Sequence, residues 1–234
     1  MKLKLTAFLM SIVALCLGFQ SCNSDNDDDP NPGTNIYTRI VSYVEGTANG
    51  STFTYRERGD SPLITLYSTQ ALKAETFKVG TRIIIQYTTE PTGQNQDRQI
   101  TLLAAANVEG QGKAVESATA ESTNNWNSDG VAVQALYRSG DFIDVQFTGY
   151  LGDQQAKVAM YVDETTLDSE QPQLHLIFGP YSGMVNTPYI FYGSWNIANI
   201  WKLPNVKSVK VNFNGTGAIG SSVILTKDSD IRPS

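Results

Sequence analysis

Apolar and polar positions alternate along most of this chain. Ile143, Val145 and Phe147 share one parity, and Asp144, Gln146 and Thr148 hold the other. Val158, Met160 and Val162 alternate in the same way with Lys157, Ala159 and Tyr161, as do Val209, Val211 and Phe213 with Ser208, Lys210 and Asn212. A strand turns successive side chains to opposite faces, so a period of two predicts half-buried antiparallel strands, apolar inward and polar outward. About a dozen such runs are punctuated by turn residues, among them Ala48-Asn49-Gly50, Arg58-Gly59-Asp60, Ser139-Gly140-Asp141 and Gly152-Asp153. That spacing predicts an all-β sandwich or barrel and argues against βαβ units. Helical signal is confined to residues 68–77, where Ala71, Leu72 and Ala74 favour a short helix.

The runs fall into two series. The first holds five, near residues 36–44, 51–58, 63–68, 82–89 and 98–108, with the expected helix between the third and fourth. Five strands with a helix in that place form the layout of an OB-like barrel. A polar stretch, 109–129, follows, and a second series runs from 130 to 234. The reading is therefore an N-terminal OB-like domain over 35–108, a linker over 109–129, and a C-terminal antiparallel β-sandwich over 130–234.

The first 34 residues break this pattern. Lys2 and Lys4 precede an apolar stretch of about 15 residues, too short for a spanning helix, which needs about 20. Positive charge followed by a short apolar run is the order of a signal peptide, here residues 1–21. Phe19-Gln20-Ser21-Cys22 resembles a bacterial lipobox, which makes Cys22 the acylated first residue of the mature chain and attaches it to a membrane. Next come Asn23-Ser24-Asp25-Asn26-Asp27-Asp28-Asp29, then Pro30, Pro32 and Gly33. So polar a segment buries too little apolar surface to fold, and it reads as a disordered tether over 22–34. Its acidic run is either a plain spacer or, by resemblance, the surface-export signal of Bacteroidetes lipoproteins. The expected location is the cell envelope, on the outer membrane and at its surface if that signal operates.

Composition then removes several functions. Cys16 leaves with the signal and Cys22 carries the lipid, so the folded part has no thiol for a disulfide, metal or nucleophile. Loss of Lys2 and Lys4 takes the formal charge from −6 to −8. An acidic chain of this kind is not expected to bind nucleic acid, whose affinity comes from neutralising phosphates. His175 is the one histidine, on a strand where Leu174, Leu176 and Phe178 hold the opposite parity. It reads as a surface residue and not as the base of a catalytic triad. Zinc sites need several His or Cys ligands, so no metal and no cofactor is expected. Asp163, Glu164, Asp168 and Glu170 have no EF-hand spacing and read as a solvated loop.

Lipobox, acidic tether, five-strand OB-like half and β-rich second half together resemble the NigD-like lipoproteins of the Bacteroidetes. Phe77-Lys78-Val79-Gly80-Thr81-Arg82, leading into Ile83-Ile84-Ile85-Gln86-Tyr87, is similar to that family's Gly-x-Arg approach to its fourth strand. The resemblance implies an OB-like domain, a C-terminal β-sandwich and no catalytic residues. Its name derives from a bacteriocin gene cluster, which implies an immunity or accessory role.

One segment invites a binding role. Tyr181, Tyr189, Phe191, Tyr192, Trp195 and Trp201 lie close together, with Gly179, Pro180, Gly183, Pro188 and Gly193 among them. Aromatic faces on loops stack on sugars and anchor protein partners, and they also plug the ends of sandwiches. Trp195 and Phe191 read as plugs; Tyr181, Tyr189 and Tyr192 are the candidate ligand-binding residues. The expected activity is non-catalytic binding of a protein or glycan partner. A bacteriocin-immunity role is the alternative, and an envelope hydrolase is the third and weakest reading.

Overall fold

The computed structural model describes residues 35–89, 98–119, 130–150, 157–179, 188–215 and 219–227. The signal, Cys22, the tether and Tyr181 lie outside them.

The fold is all-β. Strands β1 (Ile36–Thr47), β2 (Gly50–Tyr55), β3 (Ile64–Ser68), β4 (Arg82–Thr89) and β5 (Arg98–Asn107) close a barrel in the order β1-β2-β3-β5-β4. Those bounds differ from the expected ones by a few residues at most. Alternation fills the interior: Val41 and Tyr43 from β1, Phe53 and Tyr55 from β2, Leu66 from β3, and Ile83, Ile85 and Tyr87 from β4.

No helix forms over 68–77. The chain instead turns back, with Thr76 and Phe77 both donating to the Lys73 carbonyl at 3.0 and 2.9 Å. Leu72 and Phe77 both pack onto the barrel core. Five residues apart on a helix, they would point about 140° away from each other, so a helix would give up one of the two contacts. Burial outweighs propensity here.

The second half stacks two sheets. The smaller has the order β11-β8-β7, built from β7 (Ala132–Ser139), β8 (Phe142–Tyr150) and β11 (Pro188–Asn196). The larger has the order β13-β12-β10-β9-β6, from β6 (Glu116–Ala118), β9 (Lys157–Asp163), β10 (Gln173–Gly179), β12 (Ser208–Phe213) and β13 (Ser222–Thr226). This larger sheet is mixed, since β10 runs parallel to β12 and β6 parallel to β9. Ile143, Val145, Phe147, Leu174, Leu176, Val209 and Val211 fill the space between the sheets. A single helical turn, α1 (Ala198–Trp201), buries Ile200 and Trp201 against the same core.

The stretch expected to link the halves is ordered over 109–119. It runs beside β11: Glu109 N donates to the Tyr192 carbonyl at 2.8 Å, Ser194 N donates to the Glu109 carbonyl at 2.9 Å, and Val115 N donates to the Asn196 carbonyl at 3.0 Å. Val115 enters the sandwich core, and β6 extends the larger sheet. Polar composition hid this role, because the segment contributes backbone pairing and one apolar side chain.

The barrel covers the outer face of the smaller sheet. Ile40 of β1, Ile84 of β4 and Val108 form a separate apolar cluster there, joined by Tyr192 of β11. This explains the uninterrupted Ile83-Ile84-Ile85: β4 is buried on both faces, so its pattern loses alternation. It also corrects the polar face of β8, which meets protein and not water at Asp144.

Candidate functional site

The aromatic segment divides by strand parity. Phe191 stacks on Phe147 at a centroid distance of 5.2 Å and meets Phe178 edge-on, inside the sandwich. Trp195 is buried in the same core. Tyr192, on the opposite parity of β11, packs into the barrel–sandwich junction. Tyr189 is half-buried near the start of β11, opposite Gly149, and next to it the exposed Tyr150 pairs with Pro188. Trp201 lies under two cations, the Arg138 guanidinium at 4.6 Å and the Lys227 ammonium at 5.7 Å.

The chemistry the sequence reading missed sits in the junction. Arg82, at the start of β4, is 2% exposed, and Asp144 and Ser194 are fully buried. Arg82 Nη2 donates to Asp144 Oδ2 at 2.5 Å and Nε donates to Ser194 Oγ at 3.1 Å. Ser194 Oγ in turn donates to Asp144 Oδ1 at 2.6 Å. Nη1 reaches Ser42 Oγ at 3.2 Å, and the guanidinium lies 4.6 Å from the Phe142 ring centroid. Burial pushes the Asp144 carboxyl above its ordinary value, against the pull of Arg82 and Ser194. Each member has its partners, so the cluster is a clamp between the halves. The available signal was Gly80-Thr81-Arg82 itself: Gly80 has a φ of +89°, and the turn it permits delivers Arg82 to the junction.

A second tie lies nearby. Arg138 makes a bidentate pair with Asp60 at 2.6 and 3.1 Å, which holds the Asp60 carboxyl below its ordinary value. Gly59 N donates to the Arg138 carbonyl, and Gly140 N to the Gly59 carbonyl. An open cleft of about 230 Å³ lies beside these ties, lined by Ser42, Arg56, Asp60, Arg82, Asp141 and Phe142 among others. Its acidic groups are engaged: Asp60 with Arg138 and Asp141 with Lys202.

A larger cleft, of about 300 Å³, opens between the 109–116 segment and β9. Glu109, Lys113, Glu116, Met160, Tyr161 and Trp195 line it. Gly110, Gln111 and Gly112 all have positive φ, of 72°, 49° and 76°. A Cβ at Gly110 would lie 2.4 Å from the Trp195 indole nitrogen, so only glycine lets the segment close on that ring. Burial raises the Glu109 carboxyl above its ordinary value, and no other cause contributes.

His175 occupies neither cleft. It sits half-buried on β10, in register with Tyr161 of β9 and Asn212 of β12. Burial lowers its pKa, with Asp163 opposing and Lys210 assisting. Among the described residues no hydroxyl or carboxylate hydrogen-bonds to it. The acidic loop has structural duties: Asp163 caps the turn Glu164–Thr166, and Glu170 pairs with Lys207 at 2.5 Å. Among the described residues no three His, Cys, Asp or Glu side chains gather to hold a metal ion.

No protein-family model matches the sequence, and no curated protein matches it significantly. Solved structures do share its fold. A toxin-related protein from Parabacteroides distasonis aligns at a TM-score of 0.58 with 14% identity, over 83% of this chain and 95% of that one. A protein described as a lipoprotein, from Bacteroides fragilis, aligns at 0.52 with 11% identity, over 76% and 87%. A NigD-like immunity protein from Bacteroides caccae aligns at 0.54 with 10% identity, over 83% and 92%. The chain thus has the barrel-plus-sandwich fold of a NigD-like immunity protein and of Bacteroidetes lipoproteins, as its sequence resemblance implied.

Proposed function

We propose that this chain is a lipid-anchored protein of the bacterial cell envelope that acts by binding and not by catalysis. The observation that carries this reading is the union of two features. A signal sequence, lipobox cysteine and acidic tether precede a domain whose fold is shared with a lipoprotein and a NigD-like immunity protein. The acyl chains on Cys22 hold the protein at the membrane, and the tether, a dozen residues reaching about 40 Å when extended, holds the folded part clear of it. Clefts lined by polar side chains and aromatic rings support a binding role.

The test is at the anchor. Mass spectrometry of the mature protein should find an acylated N-terminus at Cys22, and Cys22→Ala should shift the protein to the soluble periplasmic fraction or leave it as precursor. A mature N-terminus at any other residue overturns the reading. A second, more specific reading is immunity, the role carried in the name of one fold neighbour, which the sequence resemblance makes immunity to a bacteriocin. Under that role, expression of the chain in a sensitive strain raises survival against a bacteriocin-producing neighbour, and Cys22→Ala abolishes the protection.

A further inference from the structure

We propose that the cleft between the barrel wall and the β7–β8 turn binds a carboxylate, held by the open edge of the Arg56 guanidinium with the hydroxyls of Ser42 and Thr54 beside it. The proposal rests on the reading of the chain as a binder and gives that binding a place and a chemistry.

Strand register assembles the wall. Arg82 of β4, Ser42 of β1 and Thr54 of β2 are cross-strand neighbours in one row, and Arg56 lies one residue past the end of β2. All four line the cleft, and Ser139, Gly140, Asp141 and Phe142 close it from the sandwich side. The site therefore sits where the two halves meet, a common place for ligand clefts.

Donors and acceptors in this cleft are unequally used. Arg56 Nη1 donates to the backbone carbonyls of Asp60 and Ser61, which fixes the guanidinium and leaves its Nε–Nη2 edge without a partner among the described residues. Ser42 Oγ accepts from Arg82 Nη1 and keeps its own proton to donate. Thr54 Oγ1 bonds to no described residue. The carboxylates of the cleft are already met by cations, Asp60 by Arg138 and Asp141 by Lys202. Asp60 is close enough for Arg56 to help lower its pKa, yet both its oxygens are bonded by Arg138. Among the charged residues that line the cleft, Arg56 is the one with no carboxylate bonded to it, since Arg82 is held by Asp144. An incoming cation finds its partners occupied, whereas an incoming carboxylate finds a guanidinium edge and two hydroxyls.

The fit is specific in shape. The Nε–Nη2 edge of arginine takes a carboxylate through two parallel hydrogen bonds, a geometry that an ammonium does not offer. A Cβ at Gly140, whose φ is +62°, would stand 3.2 Å from Arg56 Cδ and 3.4 Å from Nε. The turn thus packs along the arginine stem, and glycine keeps the Nε side open. Water competes for any open cleft, but a fork already fixed by its carbonyl bonds has little side-chain freedom left to lose on binding. A volume of about 230 Å³ suits one acid group and its nearest atoms, such as a peptide C-terminus or a sugar acid.

The experiment uses the full mature lipoprotein in neutral detergent at pH 7 and low salt, titrated calorimetrically. Three probes are compared: Nα-acetyl-alanyl-alanine with its free carboxylate, the same dipeptide as its C-terminal amide, and glucuronate. The free acid should bind saturably, and the amide about tenfold more weakly or worse, the loss of a charge-assisted pair. Arg56→Lys keeps the charge but not the fork and should lose about tenfold in affinity for the acid. Arg56 also fastens the Asp60–Ser61 loop, so a second variant, Thr54→Val, leaves that fastening intact and should weaken the acid several-fold. Melting temperatures of both variants separate lost binding from lost folding. Tighter binding of the dipeptide acid than of glucuronate supports a chain terminus as the source, and the reverse order supports a sugar acid. Equal binding of acid and amide, undiminished binding by both variants, or no saturation with either acid overturns the proposal. Failure of the carboxylate site leaves Cys22 acylation intact, whereas failure of the anchor reading shows in the N-terminal mass alone.

Discussion

Two carboxylates near β11, Asp144 sealed from water and Glu109 only partly buried, have opposite surroundings. Asp144 lies between barrel and sandwich, fully enclosed, and accepts from Arg82 and Ser194. Glu109 lies at the rim of the other cleft, and burial alone sets its behaviour. Desolvation penalises both ions, but only the first is compensated from within the chain. The contrast teaches what full burial demands: a charge sealed from water must be met from within the chain, whereas one at a rim keeps part of its hydration.

The comparison breaks first at Asp144. Asp144→Ala strands the Arg82 guanidinium in a sealed junction and should cost about 3–5 kcal/mol in urea unfolding. Replacing the pair together, as Arg82→Met with Asp144→Leu, should recover most of that loss, because no orphaned charge remains. If the single variant proves nearly neutral, water reaches the junction and the clamp is not what joins the halves. The same clamp, with the apolar cluster of Ile40, Ile84, Val108 and Tyr192 beside it, favours one cooperative unfolding transition over two.

A smaller effect is expected at Tyr192. Its ring belongs to the junction cluster, so Tyr192→Ala should destabilise by about 1–3 kcal/mol. A neutral result would return it to the set of binding aromatics.

The smallest effect has the opposite sign. Folding raises the Glu109 carboxyl above its ordinary value, so the native state holds its proton to a higher pH than the unfolded chain does. Between those two values the native state binds more protons, and stability falls as pH rises through the window; above it the penalty is constant. Glu109→Gln removes that slope, and at pH 8 it should raise Tm slightly. A lowered Tm would mean that Glu109 is compensated internally after all, and the two carboxylates would then be alike.

Much of the fold was legible because the barrel strands are short, alternating and bounded by turn residues. Ile83, Ile85 and Tyr87 inward is a statement about parity, and parity is local. Residues 68–77 show where local preference stopped being a guide: Leu72 and Phe77 were both wanted by the barrel, and a helix serves only one. The candidate aromatics were found as a group but not sorted, since Tyr192 and Trp195 differ only in which layer lies on each side of β11. Arg82 was visible as part of a motif, and Asp144 was read as solvent-facing because nothing local announces that a second domain will cover its sheet.

From the sequence alone come the expectation of an export signal with a lipidation cysteine at its end, and the all-β class and barrel-strand positions that the structure shows. These follow from composition and from periods of two residues, which need no partner to be read. Only the tertiary structure decided that the polar stretch after β5 pairs with β11, that a charged residue from each half meets in a sealed junction, and that Glu109 is partly buried in the same cleft wall as Trp195. The physical reason is the same in each case: burial of a polar group depends on what packs against it from elsewhere in the chain, and the free energy of a charge is set by that distant company.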